Sequence, residues 1–300
     1  MLRGLLPWIR TIKVILVGLA YALNQIFWFA PLALLACLKA LMLHPRWRSV
    51  CQRGMERLPL YWMRSNSLIQ HLTSSTTWNV TGLESLTQDS WYLLIANHQS
   101  WADILILQHV FKDKIPMPKF FLKRELLWTL PVASWACWLL GFPFMRRYSK
   151  ATLAKHPTLK HKDIEATQHA CQRFKQTPTT VANFIEGTRF SEKKRALQAS
   201  PYRHLLRPKA TGLGFCLAVL GHQFDKLINV TIIYPPGQAS LWHFLAGTLT
   251  SITVQINVQP ITADWLGDYQ HDRAFRAQLQ QKINALWQAK DEAMARCLEW

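Results

Sequence analysis

The sequence predicts an α/β domain preceded by an N-terminal membrane-associating helix or helices. Three observations carry this reading. Short apolar runs of strand length alternate with helical stretches after residue 77, the signature of an α/β domain. A long apolar run occupies residues 14–37. Lysine and arginine number 35 against 17 aspartates and glutamates, a net charge of +18, in a chain that also holds 14 Trp, 14 Phe and 7 Tyr. At 50% apolar and 17% charged residues, the 300-residue chain is neither disordered nor too small for a sizeable core. The cation excess implies an anionic partner, and aromatics that favour the bilayer interface make that partner a membrane surface or an acidic substrate. A nucleic-acid-binding protein is disfavoured because the basic residues spread from Arg3 to Arg296 without clustering in a motif.

In chain order, the run 14–37 is broken only by Asn24, Gln25 and Pro31 and exceeds the ~20 residues that cross a hydrocarbon core. No small-x-small cleavage site follows, which disfavours a removed signal peptide. Arg3, Arg10 and Lys13 precede the run, and Lys39, Arg46, Arg48, Arg53 and Arg57 follow it. The larger cluster favours a cytosolic C-terminal body. A single span and a bent, re-entrant anchor both remain open, since Asn24, Gln25 and Pro31 permit a bend. The run 126–145 reads either as a second membrane segment or as a buried or membrane-lying helix over 126–140 followed by a strand. Pro131, Gly141 and Pro143 favour the latter. Strands are expected at 91–96, 180–185, 227–234 and 251–258, the last alternating Ile252, Val254, Ile256 and Val258 on one face. Helices are expected at 163–175 and 213–220. A C-terminal amphipathic helix, opened by Asp272 or a near neighbour, carries Phe275, Leu279, Ile283 and Leu286. The cysteines form no CxxC pair and no zinc-ligand spacing, so no metal site is expected. Cys37 and Cys137, inside apolar runs, read as buried reduced thiols of a protein facing the cytosol.

Four segments carry chemistry. The first strand ends in Asn97-His98-Gln99-Ser100-Trp101-Ala102-Asp103. A histidine at a strand end, followed five residues on by an aspartate at a helix start, allows the carboxylate to meet one imidazole nitrogen while the other takes a proton from a hydroxyl. The alternative at this point is a plain helix cap by Ser100 or Asp103. Phe184-Ile185-Glu186-Gly187-Thr188-Arg189 closes another strand; Gly187 permits close approach, and Thr188 and Arg189 can donate to a phosphate. Glu186 can orient that arginine or a substrate hydroxyl, or the block can be a turn with an exposed ion pair. Gly141-Phe142-Pro143-Phe144-Met145-Arg146-Arg147 places paired arginines after an apolar stretch, and 229–235 is a strand running into Pro235.

Together and taken in chain order, these segments resemble the glycerolipid acyltransferases, the PlsC-type lysophosphatidic acid (1-acylglycerol-3-phosphate) O-acyltransferase family. NHQSWAD matches its NHx4D block. GFPFMRR matches the Gly-x-x-Phe-x-x-Arg block with Gly141, Phe144 and Arg147, and FIEGTR matches FPEGTR with Ile185 in place of proline. INVTIIYP is a looser match to the fourth block. Segments around Trp91, Phe224–Thr231 and Pro208–Gly212 are similar to the YihG-like inner-membrane branch of enterobacteria.

The resemblance implies a mixed β-sheet flanked by helices, with residues 1–60 as the membrane-associating segment and 61–300 as the acyltransferase domain. It implies transfer of a fatty acyl group from acyl-CoA or an acyl carrier protein to the hydroxyl of a lysophospholipid, first of all 1-acylglycerol-3-phosphate, without an acyl-enzyme. His98 and Asp103 would be the catalytic pair. Arg147, Glu186, Gly187, Thr188 and Arg189 would bind substrate phosphate, and residues 126–140 would line or neighbour the acyl-chain site. No tightly bound cofactor and no metal are implied. The implied location is a bacterial inner membrane, catalytic domain in the cytosol. Another lysophospholipid acceptor, or a catalytically silent membrane scaffold of the same fold, are the alternatives. The Ile185 substitution removes a ring that would have fixed φ before Glu186.

Overall fold

The computed structural model describes residues 2–145, 174 and 177–299. Helix α1 (Leu2–Leu41) runs through Asn24, Gln25 and Pro31 without a break, and turns at 42–44 into α2 (Pro45–Thr73). The two pack antiparallel: Tyr21 reaches Asn66 and Gln70, Asn24 meets Asn66, Trp28 meets Ser65, and Lys39 meets Gln52. The stretch Trp8–Leu41 is long and apolar enough to cross a membrane, by length and composition. Its outer face exposes Trp8, Leu16, Phe27 and Leu34. Helix α2 went unread in the sequence, where its arginines passed for a basic flank. It continues through residues 60 and 61, so the expected domain division falls inside a helix that packs on both α1 and α3 (Ala102–Phe111).

The body is a mixed sheet between two helical layers, as the sequence predicts. Its strands are β1 (Thr77–Thr81), β2 (Tyr92–Ala96), β3 (Pro118–Phe120), β6 (Thr180–Phe184), β7 (Lys226–Ile233) and β8 (Ser251–Pro260), in the order β1-β8-β7-β2-β6-β3. All neighbours are parallel except β7 and β8. Period-2 alternation divides the core. Leu93 and Ile95 of β2 pack beneath α7 (Ala210–Leu220) and α9 (Arg273–Leu298). Tyr92, Leu94 and Ala96 face α3, together with Ile252, Val254 and Ile256 of β8. Asp272 caps α9 by accepting from the Ala274 and Phe275 amides, and Phe275, Leu279 and Ile283 are buried as expected.

The run 126–145 resolves into two short helices, α4 (Leu126–Thr129) and α5 (Pro131–Leu139), broken at Pro131. Strand β5 (Phe144–Met145) follows and pairs with β4 (Leu122–Lys123). A second membrane span is therefore not formed here. The remaining labelled helices are α6 (Glu192–Leu197) and α8 (Leu241–Ala246). The helix expected at 163–175 lies outside the described residues, Phe174 apart. Cys37, expected to be buried, is exposed on α1, and Cys137 is only half-buried.

Candidate active site

Parallel pairing sets Ala96 of β2 level with Phe184 of β6 and Val230 of β7. The chain leaving β2 at Asn97 therefore emerges beside the chain leaving β6 at Ile185, at the carboxyl ends where open α/β sheets bind ligands. Asn97 is fully buried and extends the ladder with its side chain: its amide donates to Ile232 O at 2.9 Å, and its Oδ1 accepts from Ile232 N at 2.8 Å.

His98 follows at the lip. Its Nδ1 lies 2.8 Å from Asp103 Oδ2, with the aspartate fully buried and the imidazole 15% exposed. Asp103 Oδ2 also accepts from the Gln99 and Ser100 amides at 2.7 and 2.9 Å, and Oδ1 accepts from the Tyr234 hydroxyl at 2.5 Å. A carboxylate accepts only, so the shared proton sits on Nδ1 and Nε2 is left as an acceptor. The imidazole stacks on Phe184 with centroids 4.1 Å apart, and Phe184 stacks on Phe120 at 5.3 Å. Burial and the Asp103 charge hold the Tyr234 hydroxyl well above the usual phenol range, so it remains a donor. Ser100 Oγ accepts from Ala102 N at 3.1 Å, but the N-cap position of α3 belongs to Trp101, which makes no side-chain cap hydrogen bond, so neither Ser100 nor Asp103 caps the helix as the alternative had it.

A cleft of about 320 Å³ opens over His98 and is lined also by Trp101, Leu126, Asn183, Thr188 and Arg189. Gly187 adopts φ +73° and its amide closes a turn on Phe184 O at 2.9 Å, a conformation that favours glycine. The turn forms without the missing proline, and Ile185 fills the core instead. The Arg189 guanidinium lies 5.0 Å from the Trp101 ring centroid, and Lys194 Nζ donates to Thr188 Oγ1 at 2.8 Å.

Glu186 differs from expectation. Its carboxylate is fully buried and turned inward, accepting from His98 N and Leu206 N at 3.2 Å each. Burial pushes it up to about 8, against the pull of those two amides and of Lys290. Arg147 lies outside the described residues. Leu126 lines the cleft, while Leu140 lines a separate narrow cavity between α1, α2 and α5. Tyr234 and Lys194 were missed in the sequence, and Asn97 was named there only as part of the NHx4D block. A tyrosine at the end of a mostly apolar strand, just before Pro235, was the available signal for Tyr234. Among the described residues no cluster of His, Cys, Asp and Glu suits a metal ion.

A family model described as Acyltransferase matches residues 77–253. Among solved structures, the 1-acyl-sn-glycerophosphate (LPA) acyltransferase PlsC from Thermotoga maritima is similar, with a TM-score of 0.50 and 16% identity over 94% of this chain and 98% of that one. At that identity the likeness shows a shared fold. No curated protein sequence matches the chain.

Proposed function

The chain belongs to the acyltransferase family, and on that premise we propose that it esterifies the free hydroxyl of a lysophospholipid with a fatty acyl group from an acyl thioester. The observation that carries this reading is the His98–Asp103 pair at 2.8 Å on the lip of a cleft that also holds Thr188 and Arg189. The acceptor hydroxyl gives its proton to His98 Nε2 as its oxygen attacks the thioester carbonyl. The tetrahedral adduct collapses with loss of the C–S bond, and the imidazolium returns the proton to the departing thiolate. Asp103 holds the imidazole in one tautomer and stabilises its cation.

Thr188 and Arg189, backed by the Gly187 turn, receive the acceptor phosphate, with Arg147 expected to join them. Glu186 serves that side through the main chain. The phosphate makes 1-acylglycerol-3-phosphate the first candidate, the substrate printed in the name of the Thermotoga protein; acyl-CoA and acyl carrier protein are the candidate donors. The exposed apolar face of α1 and the basic charge support attachment to an anionic membrane, which for this chain we take to be the bacterial inner membrane, with the catalytic body in the cytosol.

The test is transfer by purified protein from labelled acyl donors to a panel of lysolipids. His98→Ala should lower turnover by ~10²–10⁴-fold while leaving folding and membrane binding unchanged. Arg189→Ala should act mainly through a raised KM for the acceptor. Near-normal turnover in folded His98→Ala would overturn the mechanism. Equal use of acceptors lacking phosphate would overturn the acceptor assignment.

A further inference from the structure

The short helix α6 begins three residues after Arg189, and Ser191 caps it by accepting from Lys194 N at 3.3 Å. Helical side chains lean toward the N-terminus, so Lys194, in the first turn of α6, is carried back over the residues that precede the helix. There its Nζ donates to Thr188 Oγ1 and to Arg189 O, both at 2.8 Å. The next residue, Phe190, donates from its amide to His98 O at 2.7 Å. Segment 188–194 is therefore tied to the histidine at one point and folded onto itself by Lys194 at another.

Charge and hydrogen-bond direction single out this lysine. Among the described residues no carboxylate pairs with it; the neighbouring Glu192 pairs with Arg195 at 2.8 Å instead. Both oxygens that Lys194 does hold belong to neutral groups. A threonine hydroxyl has one proton and two lone pairs, whereas an ammonium only donates. The contact thus makes Thr188 Oγ1 an acceptor on the Lys194 side and leaves its proton for a partner elsewhere. Thr188 lines the cleft and Lys194 does not. The hydroxyl is left to donate into the cleft, and a cation on its far side strengthens that donation.

We propose that Lys194 is the positioning residue of the acceptor-phosphate side: it turns the Thr188 hydroxyl into a donor toward the cleft, anchors the main chain of Arg189, and supplies a positive charge that the acceptor's phosphate answers. This rests on the reading of Thr188 and Arg189 as the phosphate-binding pair. Without Lys194 the hydroxyl is free to turn its proton away from the cleft, and the arginine loses a fixed root. The phosphate is remote from the bond being made, so ground state and transition state lose the same contact. The loss then falls on acceptor KM and spares kcat. A merely structural loosening of the segment would instead reach His98 through Phe190 and lower kcat.

The test is steady-state transfer to 1-acylglycerol-3-phosphate in detergent by wild type, Lys194→Met, Thr188→Val, the double variant and Arg189→Ala, each measured per folded molecule. Lys194→Met should raise KM for the acceptor about tenfold, with kcat and KM for the acyl donor within about twofold of wild type. Thr188→Val should raise the acceptor KM as well, and the double variant should fall well short of the product of the two effects, because Lys194 acts in part through that hydroxyl. An acceptor KM in Lys194→Met within twofold of wild type, a kcat loss as large as any rise in KM, or effects that multiply in the double variant would each overturn the proposal. Should Lys194→Met not fold, Lys194→Ala is judged by the same criteria. A raised acceptor KM in Arg189→Ala beside an unchanged one in Lys194→Met would sink this inference alone, whereas an unchanged acceptor KM in Arg189→Ala would remove the phosphate-site reading beneath it.

Discussion

Among the described residues, Asp103 is the one on which the most donors converge: one imidazole nitrogen, two amides and the Tyr234 hydroxyl. An asparagine there is isosteric but brings an NH2 group against at least one of those donors. Asp103→Asn should therefore reduce turnover by ~10²–10⁴-fold and also lower the melting temperature, unlike His98→Ala. Tyr234→Phe removes a single donor to a charged group, which predicts a kcat loss of roughly tenfold with folding retained. Turnover assays paired with thermal melts check all three variants. The His-x4-Asp spacing was legible in the sequence because both partners lie within one strand–helix turn. Tyr234 was not, because its partner Asp103 is brought near only by the docking of α3 on the sheet. Glu186 was legible as a site residue but not in its orientation, which depends on amides contributed by two other segments.

Among the elements, the strands with continuous or alternating apolar runs, β2, β6, β7 and β8, were readable, as was the capped stripe of α9. The misses share a cause. Strand β1 is half-exposed and polar, β3 and β4 are too short to show a period, and α2 hides its buried face among arginines with Pro59 in its interior. The pair α4–α5 is unusual for exposing Trp128, Leu130, Trp135 and Trp138 together, next to a cleft that Leu126 helps to line. Such indoles suit a headgroup layer. Replacing Trp128 and Trp138 by serine should weaken partition into anionic vesicles by roughly tenfold, the equivalent of losing a modest apolar contact. Turnover on detergent-dispersed substrate should be unaffected. Vesicle co-sedimentation and a detergent assay together measure the difference.

For the whole molecule, a net charge of +18 and an exposed apolar helix suggest two modes of attachment that add. The intact protein should stay with membranes through a high-salt wash, and removal of residues 1–43 should weaken attachment without ending it. Release of the intact protein by salt alone would mean that charge is the only force. The pattern on α1 has a further result. Tyr21, Asn24 and Trp28 turn their polar tips toward α2, while the opposite side shows Leu16, Leu19, Phe27 and Leu34. The helix is tethered to the body by these hydrogen bonds and by buried Val17 and Leu32, and it is free to dissolve its other side in lipid. An enzyme held that way meets its acceptor in two dimensions. Its velocity should follow the mole fraction of lysolipid in the vesicle rather than the bulk concentration, and diluting the surface with inert phospholipid at fixed total substrate should slow it in proportion.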